Sequence, residues 1–214
     1  MILPSSVVKA YGKEQAAIMK SAKSDLRRIA NMLDWSGDVD ELVLNREAMT
    51  SVMADVVSRY GPAAAANAAE LFEAMDEAYT GKYQMAEIEA DTVFDAVNST
   101  VHYAARSLFP GDGLPPDVEA FISRIESAAV RMINGQAMET MTANNRDGIR
   151  YARVTNGEKV CPLCEELASR GYVWAVDELI EPHDGCMCSL VPGFGDDPEI
   201  KDVGTLYADL DDIF

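Results

Sequence analysis

Residues 161–188 read CPLCEELASRGYVWAVDELIEPHDGCMC. This stretch of 28 holds all four cysteines of the 214-residue chain and one of its two histidines. The spacing is C-x2-C, then 18 residues, then H-x2-C-x-C. Soft thiolates joined by an imidazole are the donors that tetrahedral zinc prefers. The first half offers Cys161 and Cys164. The second offers His183, Cys186 and Cys188 for two remaining places, so four of these five would hold one ion. In a strand, Cys186 and Cys188 would share a face and could both reach it. Two disulfides, or a thioredoxin-like redox pair at Cys161 and Cys164, are the competing uses of the same thiols. The redox reading lacks a preceding βαβ framework and leaves the later cysteines without a role.

The residues around the cluster change in style. "GIRYARVT" is β-type and is followed by the turn signal "NGEK". "GYVWAV" and "CMCSLVP" read as two further short strands, and "CPLCEELASR" as a helical turn. Such a module of about 50 residues buries little apolar surface alone. A structural zinc site can supply roughly 10–16 kcal/mol of apparent binding free energy, which makes a structural, closed site the expected role.

Upstream, the chain reads as helix almost throughout. A first helix starts after "LPSS", with Ser5 or Ser6 as cap, and runs to about Leu33. A second fits Val39–Tyr60. Pro62 then opens a third, which stops at Gly81. A fourth reads from about Gln84 to Phe109, with a break near Asp91. "PGDGLPPD" is a loop. Asp117 caps a last helix reaching about Asn144, with Val118, Phe121, Ile122, Ile125, Ala128, Ala129, Met132 and Ile133 on one packing stripe. The fold class is therefore mainly α. A long helical body, 1–145, precedes a small α+β module clipped by the Cys/His cluster, 146–194, and an acidic tail, 195–214.

Eighteen basic against 36 acidic residues leave the chain at −18. That field opposes a general nucleic-acid coat or an anionic membrane surface. A zinc-finger-like binding protein is a third class. It would need cations beside the cysteines, yet residues 155–192 hold only Lys159 and Arg170 against seven acids. Residues 1–28 are the exception, with six cations against two acids, or +4, leaving −22 for the rest. Lys9, Lys13, Lys20, Lys23 and Arg27 recur on one helix face, suited to an acidic partner or DNA. The last 20 residues carry seven acids and one lysine. There Leu206, Tyr207, Leu210, Ile213 and Phe214 fall on one side at helical spacing, as in a segment that docks in a groove. No apolar run approaches the roughly 20 residues of a membrane span, and the N-terminus does not read as a signal peptide.

The wording "RVTNGEKVCPLCEELASRGYVW…PHDGCMCSLVPGF" resembles the C-terminal motif of the phage Mu F-like minor head proteins. The correspondence falls on Arg153, Thr155, Cys161, Cys164, Gly171, Tyr172, Trp174, His183, Cys186, Cys188 and Pro192, and its "LASRG" at 167–171 is most like versions from actinobacterial phages. Met187 stands where the family usually has a basic residue. The resemblance covers about 45 residues, near a fifth of the chain. It implies a low-copy structural virion protein that binds the portal or the major capsid protein, or packaged DNA through the first helix, and acts in head assembly, packaging or delivery. It implies a place in the capsid interior or portal vertex, with the host cytoplasm as the site of assembly.

A capsid-maturation peptidase is the enzymatic alternative, using Cys161 or Cys164 with His183. The chain has no G-x-S-x-G, H-E-x-x-H or Walker sequence. His102, among apolar and small residues, reads as an ordinary helix histidine.

Overall fold

The computed structural model describes residues 5–89, 94–111, 113–146, 149–155, 160–171 and 174–194. Its first helix, α1 (Ser5–Ala30), ends where the Trp35 indole N–H donates to the Ala30 carbonyl at 2.8 Å. Asp38 then caps α2 (Val39–Thr80). Its carboxylate accepts from the Asp40 and Glu41 amides, and Glu41 returns a bond to the Asp38 amide. This reciprocal pairing satisfies two groups that a helix start leaves without partners. The other end closes at Gly81, whose φ of 70° is the left-handed geometry that glycine adopts at no steric cost.

The two helices expected on either side of Pro62 are one helix of 42 residues. Pro62 cannot donate to the Ser58 carbonyl, but both residues are exposed, so water can take that oxygen. Meanwhile Val56, Val57 and Gly61 before the proline, and Ala64, Ala65 and Ala68 after it, are buried on the inner side. Tertiary burial on both sides of Pro62 outweighs a local penalty of about 3 kcal/mol. Replacing Pro62 with Ala restores the missing bond and should raise stability by about 1–3 kcal/mol. A thermal melt checks this, and an unchanged or lowered midpoint would show that Pro62 costs the helix nothing in its native setting.

The expected helix over Gln84–Phe109 is also corrected. Its first part, through residue 89, is not helical, and α3 covers only Phe94–Ala104, followed by a 3-10 turn at Ala105–Ser107. The reason lies some 50 residues away. The Asn144 side chain accepts from the Glu87 amide and donates to its carbonyl, both at 2.8 Å. Thr140 Oγ1 does the same for Glu89 at 3.1 and 3.2 Å. Ala86 N–H meets Glu73 Oε1 at 2.9 Å. Backbone groups satisfied by side chains need no helix.

The long helix α4 (Val118–Ala143) begins as expected, with Asp117 accepting from the Ala120 amide at 2.9 Å. Its stripe from Phe121 to Ile133 is buried against α1 and α2. A two-stranded antiparallel sheet follows, β1 (Ile149–Val154) with β2 (Ser189–Phe194), in a register that pairs Ile149 with Phe194 and Val154 with Ser189. Between them lies α5 (Pro162–Ser169).

"GYVWAV" forms no regular strand among the described residues. Trp174 makes a single bridge to Tyr151, and Val176–Glu178 is a 3-10 turn. Tyr151, Val154, Leu190 and Val191 share one apolar core with the helices, whereas Cys164, Cys186 and Cys188 form a small cluster of their own. The tail residues Leu206, Tyr207, Leu210, Ile213 and Phe214 lie outside the described residues. Among those described, no helix is long and apolar enough to cross a membrane.

Candidate metal centre

Cys161 is the N-cap of α5, and its sulfur accepts the Cys164 amide at 3.3 Å. Pro162 at the first helical position suits this tight start. One turn on, Cys164 projects inward and is buried. The partner loop is shaped by backbone bonds: Cys186 N–H to His183 O at 2.9 Å and Gly185 N–H to Ser127 O at 2.8 Å. Gly185 has a φ of 76°, the left-handed geometry that favours glycine, and it packs at van der Waals distance against Ser127 on α4.

Cys186 and Cys188 precede β2 rather than lying in it, which corrects the strand geometry expected for them. They are still brought to one place, because the buried Asn134 amide donates to both their carbonyls, at 3.2 and 2.8 Å. Outside the loop, Arg131 pairs with Asp184 at 2.6 Å. Neither Asn134 nor Arg131 was singled out from sequence. Asn134 is one polar residue beside an apolar stripe, and only the fold shows what it faces.

All five expected donors converge. His183 Nε2 lies 3.1 Å from Cys161 Sγ and 3.4 Å from Cys164 Sγ, and the Cys164 and Cys186 sulfurs are 3.7 Å apart. Two triads, Cys161–Cys164–His183 and Cys164–Cys186–Cys188, each have their ligand atoms within 4.8 Å of one another, and Cys164 belongs to both. Zinc–sulfur bonds of about 2.3 Å set tetrahedral S···S separations of about 3.8 Å, and Zn–N near 2.0 Å sets N···S near 3.5 Å. The observed spacings fit that frame. All four thiols are free, and 3.7 Å is far from the roughly 2.05 Å of a disulfide. These side chains could hold a metal ion.

The electrostatics explain what an ion would do there. The Cys164 amide bond lowers the Cys161 thiol pKa. Burial pushes Cys164 up to about 12. The hydrogen bond from Cys188 draws Cys186 down to about 5, and the same bond, with burial, raises Cys188. The cluster thus resists ionising as a whole, and a divalent cation among the sulfurs inverts that preference. His183 is raised mainly by its Nδ1 contact with the Asp184 carbonyl at 3.0 Å, which orients the ring with Nε2 toward the sulfurs.

The expected basic face lies on α1. Lys13 and Lys20 are exposed, and Lys9 and Lys23 half-buried. Arg27 is engaged elsewhere: Nε meets Glu126 and Nη1 meets Glu119, each at 2.6 Å, so it ties α1 to α4. His102 is an exposed helix residue with Nδ1 2.9 Å from the Asn98 carbonyl oxygen.

Fold and site together define a mainly helical protein that carries a small two-stranded sheet closed by a Cys/His cluster. The chain belongs to the VG15 family, a viral, phage-type family, with the match running over residues 3–212. No curated protein and no solved structure matches it.

Proposed function

We propose that this chain is a structural minor head protein of a tailed phage, with zinc bound by four of Cys161, Cys164, His183, Cys186 and Cys188. The observation that carries the reading is the phage-type family match along nearly the whole chain. The family name does not specify the head. That step comes from the Cys/His motif, which resembles the Mu F-like minor head proteins, and from a donor set crowded enough to close a tetrahedral site.

The helical body then presents contact surface to the portal or the major capsid protein. The lysine face of α1, with Lys13 exposed and Lys9 and Lys23 half-buried, supplies a basic stripe for an acidic partner or packaged DNA. Mass spectrometry of purified particles should find the chain in fewer copies than the major capsid protein. Changing Lys9, Lys13 and Lys23 to Glu should reduce its incorporation without unfolding it. Absence from both mature particles and assembly intermediates would remove the minor-head reading.

A peptidase is the second reading, favoured by the 3.1 Å approach of His183 Nε2 to Cys161 Sγ. An open groove of about 350 Å³ lies between α4 and residues 176–182, lined by Met132, Met138, Leu179 and Ile180; it reaches Pro182, the residue before His183, but neither Cys161 nor His183 lines it. In that case the metal-free protein would cleave its capsid partner, and Cys161→Ala would abolish the cleavage. Under the structural reading no cleavage occurs in either state.

A further inference from the structure

Arg153 lies in β1 with 3% of its surface exposed. A guanidinium taken this far out of water needs a counter-charge nearby. Other arginines of the same region have carboxylates. Arg150 reaches Glu178 at 3.7 Å, Arg170 reaches Glu166 at 2.9 Å, and Arg131 reaches Asp184 at 2.6 Å. Among the described residues Arg153 has no carboxylate partner. Its Nη1 points at Cys186 Sγ, 4.0 Å away, and its Nη2 donates to the Ile180 carbonyl.

We propose that Arg153 is the counter-ion of the cysteine cluster and a positioning residue for its second half. This rests on the zinc reading above. Zinc held by four cysteinates leaves the site at −2, and by three cysteinates with an imidazole at −1. That charge is formed in a chain already at −18. One buried guanidinium against a sulfur offsets a unit of it where water cannot. The sequence sets this cation one register position from Ser189, since Arg153 pairs with Leu190 directly after the cysteine loop. The bond to Ile180 does a second job. It fixes the chain three residues before His183, so the imidazole arrives at the sulfurs already oriented.

The test is zinc affinity by competition with a chromophoric chelator, on the full chain, for wild type, Arg153→Met and Arg153→Lys. Cobalt-substituted spectra of each report the ligand field. Arg153→Met keeps the apolar stem and loses the charge. It should bind zinc about 10–100-fold more weakly, the range seen when groups behind metal ligands are removed. Arg153→Lys keeps the charge without the planar fork and should recover most of that loss.

Folded Arg153→Met protein with wild-type affinity and an unchanged cobalt spectrum would overturn the proposal. So would an Arg153→Lys protein that folds yet binds as weakly as Arg153→Met, because charge would then not be the agent. If Arg153→Met does not fold, the lysine variant decides alone: wild-type-like zinc binding supports the counter-ion role. Failure of both variants to fold with saturating zinc would mark Arg153 as a packing element only. Wild-type protein that binds no zinc sinks the metal reading itself, an outcome distinct from all of these.

Discussion

Protein purified from a reducing cytoplasm should carry one zinc per chain, and Cys164→Ser should carry none. Cys164 is the choice because it alone belongs to both triads, so its loss breaks each of them and removes the buried sulfur that joins the two halves of the cluster. The free energy at stake is on the order of 10 kcal/mol, the scale of structural zinc sites, and comparable to the whole net stability of a domain. The damage should nevertheless be local. Tyr151, Val154, Leu190 and Val191 are held by the helical core and not by the cluster. Hydrogen exchange after chelation should therefore show lost protection across residues 160–171 and 176–188, with β1, β2 and α4 still protected. Metal analysis and thiol counting decide the first part: four readily titrated thiols and no metal in the wild type would reject the site.

The second large effect is expected at Arg146. Asp76 in α2 is buried, its side chain 1% exposed, and its one ion pair among the described residues is with Arg146 at 2.9 Å. Arg146 also lies over the Phe72 ring, 5.9 Å from its centroid. Arg146→Met leaves a carboxylate in the interior without its cation, and such removals cost about 3–5 kcal/mol. Because Arg146 itself is 38% exposed, water can enter, and the lower end, about 3 kcal/mol, is expected. Denaturant titration measures it. The double variant Asp76→Asn with Arg146→Met should regain most of the loss, since the orphaned charge is gone. A single variant as stable as wild type would show that Asp76 is already solvated.

What the sequence made legible follows from the range of each interaction. Gly81 and Asp117 act within a few residues, so the helix ends they set could be read directly, as could the start at Val39, although its cap Asp38 read only as one more surface acid. The α4 stripe was readable because burial imposes the helical period. Cysteine spacing gave the cluster, since few purposes bring so many thiols together. Pro62 misled because its signal is local, while the burial that overrides it comes from α1 and α4. Residues 84–89 misled for the complementary reason. Nothing within that stretch announces that Thr140 and Asn144 will occupy its backbone. Arg153 stood out in sequence only as part of a family-like motif, and its place beside Cys186 required the fold.

The unbroken run of α2 has a mechanical consequence. At 1.5 Å per residue its 42 residues extend about 63 Å. One end abuts the turn around Trp35, and the other joins, through Asp76 and Arg146, the point where α4 hands over to the sheet. Helices packed along their length shorten little under load. A push delivered at the Asp38 end would reach the sheet end as displacement rather than be absorbed by a hinge midway. In an assembly under internal pressure, α2 would act as a strut of fixed length, with the gap between the surfaces at its two ends set by the number of its residues.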